Sequence, residues 1–183
     1  MTASTRFVAL LRGINVGGRN AVRMPDLVGC FADAGFADVR TLGQSGNVVF
    51  TARRTSGARF EGDVAAMLED RFGMPVPTVI RSRAEFARTM DEAPPGHGSP
   101  DLRADVFFCR HPLTPEQALA EMPELREGVD TIAVGPGALY FSRVAARATK
   151  TRIQKFMALP VFQQNTVRSW GTCVKVSGLL EED

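Results

Sequence analysis

Near the start of the sequence, apolar residues follow first the spacing of a strand and then the spacing of a helix. Residues 6–12 are apolar on both alternating faces, with Phe7 and Val8 on opposite sides, which is typical of a central strand covered on both faces. After a glycine-rich loop, apolar residues recur at helical spacing from Pro25, which suits a first helical turn, to Gly35, which fits a C-terminal cap. The chain therefore begins with a β-strand followed by an α-helix.

Four further elements complete a first set. Residues 36–42 and 47–52 predict two strands joined by a tight turn. Residues 60–72 predict a helix that ends at Gly73, and residues 76–81 predict a fourth strand. The resulting order, βαββαβ, is that of the split βαβ or ferredoxin-like unit. In this unit two right-handed crossovers place both helices on one face of an antiparallel sheet.

The second half of the chain repeats most of this order. Ser82 and Glu85 form a capping-box pattern that opens a short helix, and residues 93–100, rich in proline and glycine, are the clearest linker. Beyond it we predict strands at 104–109, 129–134 and 138–143, a helix opened by Thr114, Pro115 and Gln117, a basic amphipathic stretch at 146–158, and a final helix from about Thr166. This order is β-α-β-β-α, with no evident last strand.

These patterns predict an α/β (α+β) protein made of two ferredoxin-like halves that share a core. We place the first half at residues 1–95 and the second at residues 96–183. The halves share an element order without visible sequence identity, so we predict a structural duplication and no sequence repeat. The two-sided apolar first strand needs a cover on the second sheet face, supplied by the other half or by a partner chain.

Composition and cysteine usage restrict the class of protein. The 183 residues suffice for one compact domain or for two small ones with a common core. The sequence contains no apolar run long enough for a membrane span or a signal-peptide core, and Cys30, Cys109 and Cys173 form no C-x-x-C pair. We therefore expect a cytoplasmic protein with reduced thiols and no membrane contact. The net charge of +2 does not by itself indicate nucleic acid as a partner.

Glycine and small amides are concentrated at two strand ends. Residues 12–18 read Arg-Gly-Ile-Asn-Val-Gly-Gly, and residues 44–47 read Gln-Ser-Gly-Asn. Neither segment matches a dinucleotide-binding loop or a P-loop, and the second lacks the spacing of a nucleophile elbow. Strands one and three are neighbours in a βαββαβ sheet, so the exit of one lies beside the entry of the other. We therefore expect the two segments to form one polar cluster.

The candidate site residues carry groups that suit a small polar or anionic ligand. Amides of consecutive glycines can hold an anion, guanidinium groups add charge, and side-chain amides supply donors and acceptors. The candidates are Arg12, Asn15, Gly17, Gly18, Gln44, Ser45 and Asn47, together with Lys150 and Arg168 from the second half. The same glycines also suit an ordinary strand-to-helix connection.

The sequence nominates no catalytic residue, metal or cofactor. Cys109 and His111 lie two residues apart at a strand end, but a metal site needs three or four ligands. His97 lies in the linker, where no neighbouring residue in the pattern would orient it as a general base. Whether the protein catalyses a reaction is therefore left open.

A basic stretch in the second half keeps other functions open. Arg143, Arg147, Lys150, Arg152 and Lys155 fall within thirteen residues that contain no carboxylate. This pattern is typical of a solvated amphipathic surface, or of an anion or RNA site. Nucleic acid is the less favoured partner, because the third strand offers only Phe50 as a stacking aromatic. A role in protein interaction or oligomerisation is the remaining alternative, and the oligomeric state is left open.

Two blocks of sequence resemble a bacterial family. The first block comprises residues 7–18, Gly35-Phe36, Val39-Arg40-Thr41 and residues 44–50, and the second comprises Lys150 and residues 165–172. Together they resemble the bacterial family catalogued as domain of unknown function 1697. The resemblance implies a duplicated ferredoxin-like α/β fold, in agreement with the residue pattern. It implies no activity, because the family has no established one.

Overall fold

The computed structural model describes residues 4–182, which form two four-stranded antiparallel sheets and their helices. By their contacts the residues divide into two compact units. One unit runs to Phe86 and resumes at Lys175, and the other is Ala87–Val174. This division differs from the predicted boundary near residue 95. Units defined by contacts are not thereby independent folding domains, so the domain limits stay a prediction.

The first unit has the predicted element order. Its elements are β1 (Thr5–Leu11), α1 (Met24–Asp33), β2 (Ala37–Leu42), β3 (Asn47–Ala52), α2 (Ala58–Phe72) and β4 (Thr78–Ser82), and α3 (Arg83–Asp91) follows directly. The strands lie in the order β2-β3-β1-β4, and each neighbouring pair is antiparallel. This is the strand order of the split βαβ unit, which confirms the predicted fold.

Aromatic packing between the first sheet and α2 forms the centre of the first core. The rings of Phe7, Phe50 and Phe60 have centroids 5.3 to 6.1 Å apart. Aromatic pairs at such distances contribute about 0.5–1.5 kcal/mol beyond the burial of their area. Val8 and Leu10, on the opposite face of β1, are also fully buried. The strand is therefore buried on both faces, as its two-sided apolar pattern predicts.

The second unit has the same strand order. Its elements are β5 (Leu102–Cys109), α4 (Pro115–Ala120), β6 (Asp130–Gly135), β7 (Ala138–Val144), α5 (Ile153–Met157), β8 (Asn165–Ser169) and the part of α6 (Trp170–Glu181) before Lys175, with 3-10 helices at Ala145–Lys150 and Pro160–Gln164. The sheet order is β6-β7-β5-β8, and all pairs are antiparallel. The structure therefore confirms two sheets of the split βαβ type.

The predicted final helix from about Thr166 is wrong at its start. Residues 165–169 form β8, which pairs along β5, and α6 begins only at Trp170. Val167 and Trp170 have helical spacing, but five residues are too few for periodicity to separate a strand from a helix. Pairing with β5 decides the structure here, so the second unit has the last strand that its sequence pattern did not show.

Both predicted capping boxes are formed. Thr114 Oγ1 accepts a hydrogen bond from the Gln117 N–H over 3.2 Å, and the Gln117 side chain accepts one from the Thr114 N–H over 3.0 Å. Ser82 and Glu85 exchange the same two bonds at the start of α3. Each box satisfies backbone donors that a helix start otherwise leaves without a partner.

The duplication leaves a short trace in the sequence. The dipeptide Arg-Ser ends both β4 and β8, at residues 81–82 and 168–169. Both arginines are buried, and they lie opposite Val8 of β1 and Val106 of β5. Since β1 and β5 are the first strands of their sheets, the two dipeptides occupy equivalent positions. A single shared dipeptide is not a sequence repeat.

Candidate functional site

The two candidate loops lie side by side. The antiparallel register of β1 and β3 brings the end of one strand to the start of the other, as predicted. The Leu11 N–H donates to the carbonyl oxygen of Gly46 over 2.8 Å. The Asn15 side chain then joins the loops, because its Nδ2 donates to the carbonyl oxygen of Gln44 over 2.8 Å. Together, residues 12–20 and 43–47 form one surface, which we call the strand-end surface.

The first loop is a miniature hairpin. The Arg19 N–H donates to the carbonyl oxygen of Val16 over 3.0 Å, and the glycines between them, Gly17 and Gly18, have φ of 58° and 73°. Two consecutive positive φ angles are typical of a type I′ turn, which glycine adopts without steric cost. All four residues are exposed. Within residues 4–182, the N–H groups of the two glycines have no hydrogen-bond partner.

The two candidate asparagines hold the loops in place. Asn15 accepts a bond from the Val22 N–H over 2.8 Å and donates one to the Val22 carbonyl over 2.9 Å, in addition to its bond with the neighbouring turn. Asn47 is buried and donates to the carbonyl of Leu42 over 3.0 Å and to Ser45 Oγ over 3.3 Å. These amides therefore order the strand-end surface, and their polar atoms are largely engaged in doing so.

Charge on the strand-end surface comes from arginine. Arg12 directly follows β1 and is half-buried, and its backbone N–H donates to the carbonyl of Pro77 over 2.9 Å. Burial lowers the pKa of the Arg12 guanidinium, which nevertheless stays protonated at neutral pH. Partial desolvation strengthens the attraction between such a cation and an anion. Arg19, Gln44 and Ser45 are exposed on the same surface.

The two candidates from the second half belong to the second unit and differ in environment. Lys150 is exposed at the end of its 3-10 helix. Arg168 is buried, and its Nη1 donates to the carbonyl of Val167 over 2.8 Å. Burial lowers the pKa of Arg168 to about 10, against the opposing effect of Cys173. Its equivalent in the first unit, Arg81, is an interior structural residue, which suggests the same role for Arg168.

Carboxylates from elsewhere in the second unit interrupt the basic stretch. Arg143 lies 3.7 Å from Asp105, and Arg152 lies 3.0 Å from Glu124, both measured from guanidinium nitrogen to carboxylate oxygen. Arg147 donates to a backbone carbonyl over 3.2 Å. The uniform positive face expected from the local sequence is therefore broken, because its counter-charges come from segments distant in the chain.

The aromatic residue that an RNA site would need is inside the core. Phe50 is fully buried and stacks on Phe7 at a centroid distance of 5.8 Å. Sheet-binding RNA modules stack bases on aromatic rings of the central strands. Because Phe50 cannot serve as such a platform, the structure gives the RNA alternative no support at β3.

Cys109, weighed above as a metal ligand, lies in the interior of the second unit. Cys109 is buried, and its thiol donates to Asn165 Oδ1 over 3.3 Å. In the part of the chain that the structure describes, no three His, Cys, Asp or Glu side chains are arranged to hold a metal ion. Across residues 4–182 there is also no helix with the length and hydropathy of a membrane span.

Sequence reasoning missed a buried ion pair. Arg81 Nη1 lies 3.1 Å from Glu61 Oε1, and both side chains are almost completely buried. The same oxygen accepts a bond from the Ile80 N–H over 3.0 Å, so the carboxylate covers the outer edge of β4. A signal was present in the sequence: Glu61 interrupts the apolar stripe of α2 between Phe60 and Val64.

The fold and this surface define a class: a duplicated α/β protein with two ferredoxin-like sheets and an ordered polar surface where β1 ends and β3 begins. The model of the family described as "Protein of unknown function (DUF1697)" matches residues 4–140, and the chain belongs to this family. The resemblance seen in the sequence is thereby confirmed, although its second block at 165–172 lies beyond the matched residues.

One solved structure has a closely similar fold. It is the conserved bacterial protein SP0830 from Streptococcus pneumoniae, with a TM-score of 0.82 and 25% sequence identity. The likeness covers 98% of this chain and 100% of that one. No curated protein matches the chain. The comparisons therefore support the fold and the family, and the function has to be argued from the residues.

Proposed function

We propose that the protein binds a small anionic ligand at the strand-end surface. The main support for this proposal is the glycine turn at residues 16–19, which is exposed to solvent and held in one conformation by hydrogen bonds. Asn15 ties it to the neighbouring turn, and the N–H groups of Gly17 and Gly18 have no partner within residues 4–182. Arg12 and Arg19 lie on either side of these glycines in the chain and supply positive charge.

The chemistry of the surface favours an anion over a neutral ligand. Anionic oxygens would accept hydrogen bonds from the two glycine amides and from the guanidinium groups. Hydrogen bonds to charged groups contribute about 1.5–3 kcal/mol each, roughly twice the value for neutral pairs. A loop that is already ordered also loses little conformational entropy on binding. Gln44 and Ser45 would then supply the polar contacts that distinguish one anion from another.

A thermal-shift screen followed by titration calorimetry tests the proposal. The panel comprises nucleotides, phosphorylated metabolites and carboxylates at constant ionic strength. Any nucleotide or phosphorylated metabolite that raises the melting temperature should bind Arg12→Ala and Arg19→Ala about 10- to 100-fold more weakly, the equivalent of one lost charge-assisted bond. Arg23→Ala is the matched control, because Arg23 is a strongly exposed arginine of the same unit. Equal affinities in wild type and both variants would remove the proposed site.

One observation favours a second candidate function, protein interaction. Val16 is 64% exposed at the tip of the braced hairpin, where a partner chain would bury an apolar side chain on a rigid support. If the partner is a second copy, light scattering should give a mass above the monomer that Val16→Lys reduces. A strictly monomeric mass across micromolar concentrations would remove self-association.

A further inference from the structure

In the first unit, the carboxylate of Glu85 accepts hydrogen bonds at the point where the last strand, β4, ends and α3 begins. Glu85 Oε2 accepts hydrogen bonds from the Ser82 N–H over 2.7 Å, from Ser82 Oγ over 2.8 Å and from Ser56 Oγ. Burial raises the pKa of Glu85, but the bonds from Ser56 and Ser82 outweigh it and leave the pKa below its usual value. The position is therefore suited to an ionised carboxylate.

The second unit has no carboxylate in the equivalent position. Ser169 ends β8 as Ser82 ends β4, and three residues later the chain carries Thr172 in place of Glu85. The Thr172 N–H donates to Ser169 Oγ over 3.3 Å, and the two hydroxyl groups lie 3.0 Å apart. The serine cap is thus kept, while the negative group beside it is not.

A cavity of about 480 Å³ lies at this position in the second unit. Its lining includes Ser169, Trp170, Arg103, Arg143 and Asp105. Two guanidinium groups and one carboxylate give these lining residues a net charge of +1, with Arg143 lying 3.7 Å from Asp105. The volume falls within the range of about 300–1,000 Å³ that is usual for small-molecule sites.

The indole of Trp170 forms a fixed wall of this cavity. A Cβ at Gly98 would lie only 2.4 Å from Trp170 Nε1, so the loop can pass the indole only as glycine. His97 is 5% exposed and packs edge-on against the indole at a centroid distance of 5.1 Å. Its Nε2 is buried and lacks a hydrogen-bond partner among residues 4–182. Buried polar atoms without a hydrogen-bond partner are uncommon in native proteins, and this one belongs to a ring that packs against the Trp170 wall.

We propose that this cavity binds a small organic carboxylate. The carboxyl group of the ligand lies against Ser169, in the same way that the carboxylate of Glu85 lies against Ser82. Arg103 and Arg143 balance its charge, and its apolar part lies on the indole of Trp170. The first unit shows that this position accepts a carboxylate, and Thr172 supplies none in the second unit.

Trp170 provides a selective reporter for the test, because it is the only tryptophan in the chain. The probe is butanoate, titrated at constant ionic strength while the tryptophan fluorescence of the full-length protein is recorded. Butanamide, a neutral molecule of the same shape, is the matched control. The proposal expects a saturable fluorescence change with butanoate and none with butanamide. No saturable change with butanoate, or equal changes with both, overturns it.

A variant that restores the missing carboxylate gives the sharpest comparison. Thr172→Glu should complete the capping box with Ser169, raise the melting temperature and abolish the butanoate response. Arg143→Gln should weaken butanoate binding about tenfold or more, through the loss of a charged partner. Arg88→Gln, which removes an exposed arginine of the same unit outside the cavity, should bind as wild type does. A stably folded Thr172→Glu protein that still binds butanoate as wild type does would overturn the proposal.

Discussion

Asn15 is the residue on which the geometry of the strand-end surface depends most. Its side chain makes three hydrogen bonds, two with Val22 and one with Gln44, and its backbone has a φ of 53°. Asparagine tolerates this left-handed conformation better than most residues, because its short side chain bonds locally. This one side chain therefore supplies hydrogen-bond partners to backbone groups of its own loop and fixes the position of that loop relative to the neighbouring turn.

Asn15→Ala should lower the free energy of unfolding by about 2–4 kcal/mol, through lost hydrogen bonds and a positive φ that alanine disfavours. Asn15→Gly loses the same bonds without the backbone strain, so it should cost about 1 kcal/mol less. Urea denaturation of the two variants and wild type measures the contribution of the hydrogen bonds and that of the backbone strain. Unchanged stability in Asn15→Ala would contradict the bracing role.

Thiol reactivity tests the environment of the three cysteines. Cys30, Cys109 and Cys173 are all free and buried. Burial raises the pKa of Cys173 to about 12 and raises that of Cys30 as well, so little thiolate, the reactive form, exists at neutral pH. Native protein should react slowly with Ellman's reagent, and all three thiols should react once guanidinium unfolds it. Rapid reaction of the native protein would contradict the structure.

At the scale of elements, the turn between β2 and β3 offers a matched pair of glycines. Gly43 and Gly46 both have positive φ, of 65° and 78°. A Cβ at Gly43 would meet nothing within 4 Å, whereas one at Gly46 would lie 2.7 Å from Leu11 Cβ and 2.8 Å from Ile14 Cδ1. The first position needs glycine for its backbone alone, and the second needs it also for close packing.

Gly43→Ala should therefore cost about 1–2 kcal/mol of unfolding free energy, the usual penalty for a left-handed alanine. Gly46→Ala should cost about 1–3 kcal/mol more, because the methyl group forces apart side chains that are already packed. Thermal and urea unfolding of the two variants give the difference directly. Equal losses would show that the turn can shift to accept the methyl group.

The cap of α3 predicts a dependence of stability on pH. Hydrogen bonds from Ser56 and Ser82 outweigh burial and hold the pKa of Glu85 below its usual value. A carboxyl with a lowered folded-state pKa adds stability above its unfolded pKa of about 4.3, and this contribution is lost as pH falls through the folded value.

Glu85→Gln should consequently be less stable than wild type at neutral pH, and the difference should shrink as the pH falls below about 4. Urea midpoints measured across this range provide the comparison. Glu92→Gln, which changes an exposed carboxylate just beyond the same helix, is the matched control for the loss of one charge. A difference that stays constant with pH would mean that the charge of Glu85 does not contribute.

At the scale of the whole molecule, the fold could be predicted because its elements repeat hydrophobic residues at clear periods. The strand order then followed from the connection rules for βαββαβ chains, which also placed the two candidate loops together. β8 escaped prediction because five residues carry too little periodicity, and its identity depends on pairing with β5. Pairing between strands that are distant in the chain cannot be predicted from the residues of one short segment.

The roles of individual polar groups were harder to predict, because they depend on partners distant in the chain. Asn15 and Asn47 were expected to face a ligand, yet both side chains donate to backbone carbonyls that only folding brings near. The counter-charges of Arg143 and Arg152 likewise come from Asp105 and Glu124. The sequence thus predicted that the two candidate loops lie together, while the structural role of the two asparagines became visible only in the structure.

The anion-binding role of the strand-end surface is the central claim, and amide NMR tests it most directly. Nitrogen-15-labelled protein is titrated with inorganic phosphate, and sodium chloride keeps the ionic strength constant. An anion held at the glycine turn should give saturable shifts concentrated at the amides of Gly17 and Gly18, and these shifts should be lost in Arg12→Ala. The absence of saturable shifts at these two amides would show that the strand-end surface does not bind phosphate as proposed.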